Sequence, residues 1–346
     1  MHRAVPCVIL KTVKAISCRE PGHFQALEIP EPEAADGEIM LRIRRIGICG
    51  TDFHAFAGEQ PYFKYPRILG HELSAEVAET AGNFKAGDMV VPVPYIHCGA
   101  CPTCRAGKTN CCPSIRTLGV HIDGGMRELM PVPEKNLMHA EGLSHEQIAT
   151  VECLAIGAHA VNRANLQAGQ WAAIAGTGPI GIGILHFARL AGARTIAIDI
   201  NPDRLDYCRQ VIGVDACVDG REDAVTQLRE ITDGKLPERV FDATGVPAAM
   251  EAAFEYVGHG GRLILVSIVK GNIAFSDPLF HAREMTVMSS RNATRSDFNL
   301  VMDALRDGEI DISSFVTHRC QFDEIIGTFD DWRNPSAGVV KGMVAL

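Results

Sequence analysis

Apolar and polar residues alternate over short runs through the first part of the chain. The segments E-I-M-L-R-I-R-R-I-G-I-C-G, H-E-L-S-A-E-V-A-E-T and G-D-M-V-V-P-V-P carry this two-residue period, punctuated by Gly and Pro. Such runs predict half-buried strands joined by turns, a mainly β domain. Near residue 150 the pattern changes. V-E-C-L-A-I-G-A-H-A-V-N-R-A predicts a helix, in which His159 packs within or between domains rather than binding a ligand. W-A-A-I-A-G-T-G-P-I-G-I-G-I-L-H-F-A-R-L-A-G-A predicts a buried strand, a glycine turn and a helix. R-T-I-A-I-D-I is the next strand and N-P-D-R-L-D-Y-C-R-Q-V-I-G a capped helix; R-V-F-D-A-T-G and G-R-L-I-L-V-S-I continue the alternation. That order predicts a parallel sheet covered by helices. After Met285 a strand, a loop and a helix follow, and the tail to Leu346 is expected to return to the first domain.

Composition narrows the picture. A chain of 346 residues accommodates two domains of ordinary size, and 47% hydrophobic with 22% charged residues is the profile of a globular protein in water. A net charge of -9 gives no broad attraction to nucleic acid or anionic membrane. The start, M-H-R-A-V-P-C-V-I-L-K, is interrupted too soon to read as a signal peptide. Trp171 to Leu190, the most apolar stretch, is crowded with glycines and suits a strand and helix better than a membrane span. A cytoplasmic location is expected. Twelve cysteines without an export signal suggest metal binding in a reducing compartment. Cys7, Cys18, Cys208, Cys217 and Cys320 are isolated and read as small buried hydrophobes.

The remaining cysteines carry chemistry. Cys98, Cys101, Cys104 and Cys112 are separated by two, two and seven residues, a spacing suited to one closed tetrahedral zinc site; Cys111 could stand in for Cys112. A second, unlike set is widely spaced: Cys49, the pair His71-Glu72, and Glu152. Thiolate, imidazole and carboxylate suit an open zinc that keeps one position for a substrate oxygen. Gly176-Thr177-Gly178-Pro179-Ile180-Gly181 matches G-x-G-x-x-G between a buried strand and a helix. Glycines there let backbone approach a pyrophosphate at the helix N-terminus. Asp199 ends the next strand, where a carboxylate can bond ribose hydroxyls and repel a 2'-phosphate, favouring NAD. Arg204 nearby could weaken that choice, or pack over the adenine. A closed zinc site, an open one and a nucleotide site together imply a metal-dependent dehydrogenase.

In these motifs the chain resembles the zinc-containing medium-chain dehydrogenase/reductase superfamily, in its sorbitol and threonine dehydrogenase branch. The carriers are G-I-C-G-T-D-F-H, G-H-E, C-x-x-C-x-x-C-x(7)-C, E-C-L-A-I-G-A-H-A and G-T-G-P-I-G, in family order over nearly the whole chain. Y-P-R-I-L-G-H-E and S-S-R-N-A-T-R-S-D-F further resemble a subgroup acting on sugar acids such as gulonate or galactonate. The resemblance implies a GroES-like catalytic domain over 1–152, a Rossmann NAD-binding domain over 153–290, and a segment 291–346 returning to the catalytic domain. It implies two zinc ions per subunit, with Cys112 completing the structural site. Cys49 and His71 would be catalytic ligands and Glu72 the third. Glu152 would hold the zinc-bound water or the substrate, or move onto the metal; Cys153 replaces the usual proline there and is a rival ligand. Val266 would join Gly176, Gly178, Pro179, Ile180, Gly181, Asp199 and Arg204 at the cofactor. A homodimer or homotetramer is also implied.

The mechanism implied is oxidation of a polyhydroxylated small molecule. Zinc favours the alkoxide, hydride passes to the nicotinamide, and the proton leaves through Thr51, a cofactor ribose hydroxyl and His54. Arg291 and Asn292 follow the last strands and are candidates for substrate, since a guanidinium matches a carboxylate; the alternative is a loop or subunit-contact arginine. Phe53, with Phe56, Phe63 and Tyr65, could shape the pocket, though most aromatics near such a site simply pack. Threonine or simple-alcohol oxidation is the competing enzyme reading. A zinc-bearing nucleic-acid module is the non-enzyme one, and the isolated Arg105 and Lys108 in an acidic chain argue against it.

Overall fold

The strand Glu38–Ile48 organises the first half of the structure. Ile39, Leu41 and Ile43 are buried at alternate positions; then the phase changes and Ile46 and Ile48 are buried. The change coincides with a register shift between Ile43 and Arg45. A β-bulge takes up one residue of the Arg44-Arg45 pair and returns the next isoleucine to the core. One edge of this strand pairs antiparallel with Glu72–Val77. The other edge is shared, with Leu129–Pro133 along residues 38–42 and Lys341–Ala345 along residues 45–48. A smaller sheet of His23–Pro30, Thr12–Glu20 and Arg67–Ile68 closes on the same apolar core.

The protein is described by a computed structural model over residues 11–60 and 63–346. Chain contacts divide it into two units: the described residues up to Ile96 with Ser114–Thr150 and His318–Leu346, and His97–Pro113 with Val151–Thr317. The expected boundaries differ from this division in three places, the first being that the second unit resumes at Val151 rather than 153 and so includes Glu152. The cysteine lobe groups with the second unit because Asn110 bonds His159 and the Arg291 carbonyl. The return to the first unit begins at His318 rather than 291, because Asp297 ties the helix Arg295–Arg306 to His159. Cys18, Cys208 and Cys320 are buried and Cys217 is half-buried; Cys7 lies outside the described residues.

The second unit holds a six-stranded sheet in the order Ala216–Asp219, Arg194–Asp199, Trp171–Ala175, Arg239–Asp242, Arg262–Leu265, Thr286–Ser289. Every neighbouring pair is parallel. Strand order reverses direction beside Trp171–Ala175, the switch point at which a doubly wound sheet opens a ligand crevice. Ala172, Ala173 and Ile174 are fully buried, as a central strand covered on both faces requires. Among the described residues no helix is long and apolar enough to cross a membrane.

Helices His145–Ala164 and Pro179–Leu190 approach through glycines. A Cβ on Gly157 would lie 2.5 Å from the Gly183 carbonyl carbon and 2.6 Å from the Ile184 nitrogen. Backbone cannot yield as a side chain can. Gly157→Ala is therefore expected to cost about 1–3 kcal/mol in urea unfolding. Gly327→Ala, on a helix face with nothing within 4 Å, serves as the control and should be neutral or stabilising.

Candidate metal and nucleotide sites

Cys49 follows the strand Glu38–Ile48 directly and stands at the N-cap of helix Gly50–Phe56; His71 precedes Glu72–Val77 and Glu72 begins it. Gly47 pairs with Glu72 across the sheet, so the three residues meet at one sheet end. One ligand atom from each lies within 4.8 Å of the others; His71 and Glu72 are buried and Cys49 is half-buried. Glycine at 47 is what admits the carboxylate. A Cβ there would sit 2.1 Å from Glu72 Oε2.

Two residues that the sequence reading did not single out complete this end of the sheet. Lys341 Nζ donates to Glu72 Oε1 at 2.7 Å, Glu72 Oε2 at 2.6 Å and the Ile48 carbonyl at 3.2 Å. All three ammonium hydrogens are thereby used. Both side chains of the ion pair are 0% exposed. Asp52, also buried, accepts the Cys49 N–H through Oδ2 at 2.9 Å, while Oδ1 lies 3.7 Å from His71 Nδ1. Burial pushes the Asp52 carboxyl above the usual carboxylate range, against the pull of the His71 imidazole and the Cys49 amide. A carboxylate facing Nδ1 orients the ring and leaves Nε2 for a metal. Three protein ligands of mixed softness with a fourth position left over fit a catalytic zinc.

The four-cysteine lobe is a different kind of site. Cys98 Sγ lies 3.6 Å from Cys112 Sγ and 4.0 Å from Cys104 Sγ, and Cys101 Sγ lies 4.0 Å from Cys112 Sγ. Sulfurs at the corners of a tetrahedral zinc site are about 3.8 Å apart, far beyond a disulfide bond. The spacing fits a closed four-thiolate zinc. Cys111 is exposed and outside the group, so Cys112 is the fourth member. The Cys101 amide donates to Cys98 Sγ at 3.4 Å and the Cys98 amide to Cys112 Sγ at 3.5 Å. The Thr103 hydroxyl, 3.1 Å from Cys101 Sγ, and then the Cys104 amide hold the Cys101 thiol down at about 6. Donors aimed at sulfur favour the thiolate that a metal needs.

In the second unit, Gly176 has φ +86° and Gly178 stands at the N-cap of helix Pro179–Leu190. A Cβ on Gly181 would fall 1.9 Å from the Gly176 carbonyl oxygen, so that glycine is fixed by the turn itself. Gly178 meets nothing within 4 Å, which leaves its face open for a phosphate. Asp199 is already engaged. Its Oδ2 accepts the Thr177 N–H at 2.8 Å and the Thr177 hydroxyl at 2.7 Å, and Oδ1 accepts the Asn201 N–H at 2.9 Å. A carboxylate has about four acceptor positions, so binding both ribose hydroxyls requires the Thr177 hydroxyl to turn away. Arg204 Nη1 lies 4.0 Å from Asp199 Oδ2, and Val266 donates its N–H to the Asp242 carbonyl at 2.9 Å.

The other candidates are placed as follows. Thr51 is half-buried in the first turn of helix Gly50–Phe56, and His54, on the same helix, is exposed with Nδ1 3.0 Å from Glu59 Oε2. Glu152 and Cys153 are buried on helix His145–Ala164. Consecutive helical residues point roughly 100° apart, so the two side chains leave the helix in different directions. Phe56 belongs to the core with Phe24 and Phe329 instead of to a pocket, because its ring lies 4.7 Å from Phe24 and 5.1 Å from Phe329. Phe53, Phe63 and Tyr65 are partly buried against the same core. Arg291 is exposed, and Asn292 is half-buried at φ +52°.

The Lys341–Glu72 pair yields a stability prediction. Lys341→Met strands a buried carboxylate and is expected to cost about 3–5 kcal/mol in urea unfolding. Lys341→Met combined with Glu72→Leu should recover most of that loss, since an apolar pair replaces the buried ion pair. A double variant as unstable as the single one would show that packing, and not charge, sets the cost.

Comparison with known proteins identifies the family. Residues 35–142 match the model of the alcohol dehydrogenase GroES-like domain and residues 179–307 that of the zinc-binding dehydrogenases. The chain is 37% identical to L-galactonate-5-dehydrogenase of Escherichia coli K12, over 97% of this chain and 100% of that protein. It is 30% identical to 2-dehydro-3-deoxy-L-galactonate 5-dehydrogenase of Pseudoalteromonas atlantica, over 90% of this chain and 91% of that one. Among solved structures, a putative zinc-binding dehydrogenase from Sinorhizobium meliloti bound to NADP superposes with TM-score 0.89 at 28% identity, covering 97% of this chain and 100% of that one. The chain therefore belongs to the zinc-binding dehydrogenases, the zinc-containing medium-chain family with a GroES-like amino-terminal domain and a doubly wound nucleotide-binding sheet.

Proposed function

We propose that the protein oxidises a secondary alcohol of a sugar acid or related polyol, of gulonate or galactonate type, with NAD as hydride acceptor. The observation that carries the reading is the half-buried Cys49 grouped with buried His71 and Glu72, together with the Lys341 partner of Glu72. Support for the substrate class comes from the L-galactonate and deoxygalactonate dehydrogenases among its relatives. When bound, zinc supplies Lewis acidity toward the alcohol oxygen and the nicotinamide supplies the hydride-accepting carbon.

The chain's own residues do the rest. Cys49, His71 and Glu72 hold the catalytic metal, and Glu152 holds the substrate or its water. Lys341 offsets the charge of Glu72, so the site does not fully neutralise a divalent ion facing the Cys49 thiolate. The remaining positive charge favours the alkoxide over the alcohol. Thr51 Oγ1 accepts the proton of the ionising alcohol while releasing its own hydroxyl proton, and His54, exposed beside Glu59, passes a proton on to solvent. Cys98, Cys101, Cys104 and Cys112 hold a second, structural zinc. Asp199 orients the adenosine ribose and disfavours a 2'-phosphate, with Arg204 as the one nearby group pulling the other way. Arg291 pairs with the carboxylate of the substrate, with Asn292 and Phe53 beside it. Assembly as a homodimer or homotetramer in the cytoplasm completes the reading.

The test is a panel of sugar acids, matched alditols, L-threonine and simple alcohols, run with NAD and with NADP while following reduced cofactor. An aldonate should be favoured over its alditol in kcat/KM by roughly tenfold or more, the worth of one well-placed charged hydrogen bond, and Arg291→Ala should abolish the preference. Faster turnover of L-threonine or ethanol than of any aldonate would overturn the substrate class. Equal or better use of NADP would overturn the cofactor choice.

A further inference from the structure

The segment that bears Arg291 is pinned at three points by one face of a single helix. On helix His145–Ala164, His159, Asn162 and Arg163 follow the three- and four-residue spacing that lines up one face. Arg163 Nε donates to the Ser289 carbonyl at 2.9 Å, where the last strand of the sheet ends. Asn162 Nδ2 donates to Asp297 Oδ1 at 2.8 Å, and His159 Nδ1 lies 2.8 Å from Asp297 Oδ2. Asp297 in turn accepts the Thr294 N–H at 2.8 Å and its hydroxyl at 2.6 Å, fixing the start of helix Arg295–Arg306. The hub is 2% exposed. Burial works to raise the Asp297 carboxyl, but the His159, Thr294 and Asn162 donors outweigh it and hold the group below the ordinary range.

The fourth member comes from the cysteine lobe. Asn110, 4% exposed, places Nδ2 3.1 Å from His159 Nε2 and 2.9 Å from the Arg291 carbonyl oxygen. The assignment is self-consistent. His159 donates from Nδ1 to a carboxylate, so Nε2 is the acceptor, and the two hydrogens of the Asn110 amide serve the ring and the Arg291 carbonyl. Both Asn110 amide hydrogens and the His159 ring hydrogen thus have acceptors. Nothing in the zinc chemistry of the lobe calls for a buried asparagine at 110, and nothing in the nucleotide turn calls for a histidine at 159.

We propose that Asn110 and His159 are positioning residues for substrate selection: together they fix the backbone of the Arg291–Thr294 segment, and so the guanidinium that meets the substrate's carboxylate. The inference rests on the reading of Arg291 as the carboxylate partner. Neither residue touches substrate. Each acts through the Arg291 carbonyl or the Asp297 hub, so losing them blurs selectivity and leaves the hydride step alone.

The experiment compares Asn110→Leu, His159→Gln and Arg291→Ala, singly and as Asn110→Leu with Arg291→Ala, on an aldonate and its matched alditol. Asn110→Leu should raise KM for the aldonate by roughly five- to twentyfold, the worth of one or two hydrogen bonds, with kcat, the alditol KM and zinc content unchanged. In the Arg291→Ala background the same substitution should add almost nothing, because the group being positioned is gone. His159→Gln keeps a donor and an acceptor, so it should fall between Asn110→Leu and the native enzyme; it carries the test if Asn110→Leu does not fold. An equal loss on aldonate and alditol, additive with Arg291→Ala, would reduce Asn110 to a structural residue and overturn the proposal. Arg291→Ala without effect on the aldonate preference would remove the substrate reading and this inference with it. A selective Arg291→Ala effect beside unaltered selectivity in Asn110→Leu would remove the inference alone.

Discussion

A lysine with no exposure to water is paired with an equally buried glutamate that is itself one of the residues that would hold the reactive metal. Burying two charges is expensive, and the expense is offset only where geometry satisfies every donor. Lys341 and Glu72 meet that condition through the end of a third strand: the ammonium spans both carboxylate oxygens and the Ile48 carbonyl. The surrounding fold serves this arrangement. The bulge at Arg44 restores the phase of the central strand, Gly47 clears room for the carboxylate, and the carboxyl-terminal strand brings Lys341 to the far edge. Cys49 and His71 then lie where a divalent ion would meet one thiolate, one imidazole and a carboxylate whose charge is already balanced.

The second unit uses the same economy of satisfied polar groups for other ends. Asp199 braces the glycine turn through Thr177 and the following helix through Asn201. The turn is therefore formed before a nucleotide arrives, and part of the ordering cost of binding is met by the fold. Asp297 does the like for the Arg291 segment, held by donors from a helix and from the segment itself. The cysteine lobe contributes more than a cluster of thiols spaced to fit a zinc ion, because Asn110 extends from it to that segment.

Much of this was legible from residue order because the signals are local. Four cysteines within fifteen residues, a glycine turn between an apolar strand and helix, and a carboxylate closing the next strand each need only neighbours in sequence. What escaped depends on distant partners. Lys341 lies 269 positions from Glu72 and looks like any lysine at the start of a strand. Asp52 was in view inside G-I-C-G-T-D-F-H, and its place three residues past Cys49, at the start of a helix, was the available signal of a capping and orienting role. His159 was expected to pack; its partners Asn110 and Asp297 lie 49 and 138 positions away. Phe56 packs in the core, one of the two roles open to it in sequence, because aromatic composition near a motif cannot tell lining from core. The domain limits moved because tertiary hydrogen bonds, not composition, assign the lobe and the segment after residue 290.

The central claim is that the Cys49 group holds an ion distinct from that of the four-cysteine lobe. Replacing zinc by cobalt(II) and recording metal content and the visible and near-ultraviolet spectrum of the native protein and of Cys49→Ser tests it most directly. The account predicts one ion for each of the two ligand groups, with Cys49→Ser losing one ion or its thiolate charge-transfer band while the four-thiolate spectrum persists. A single ion per chain, or a spectrum unaltered by Cys49→Ser, would contradict it.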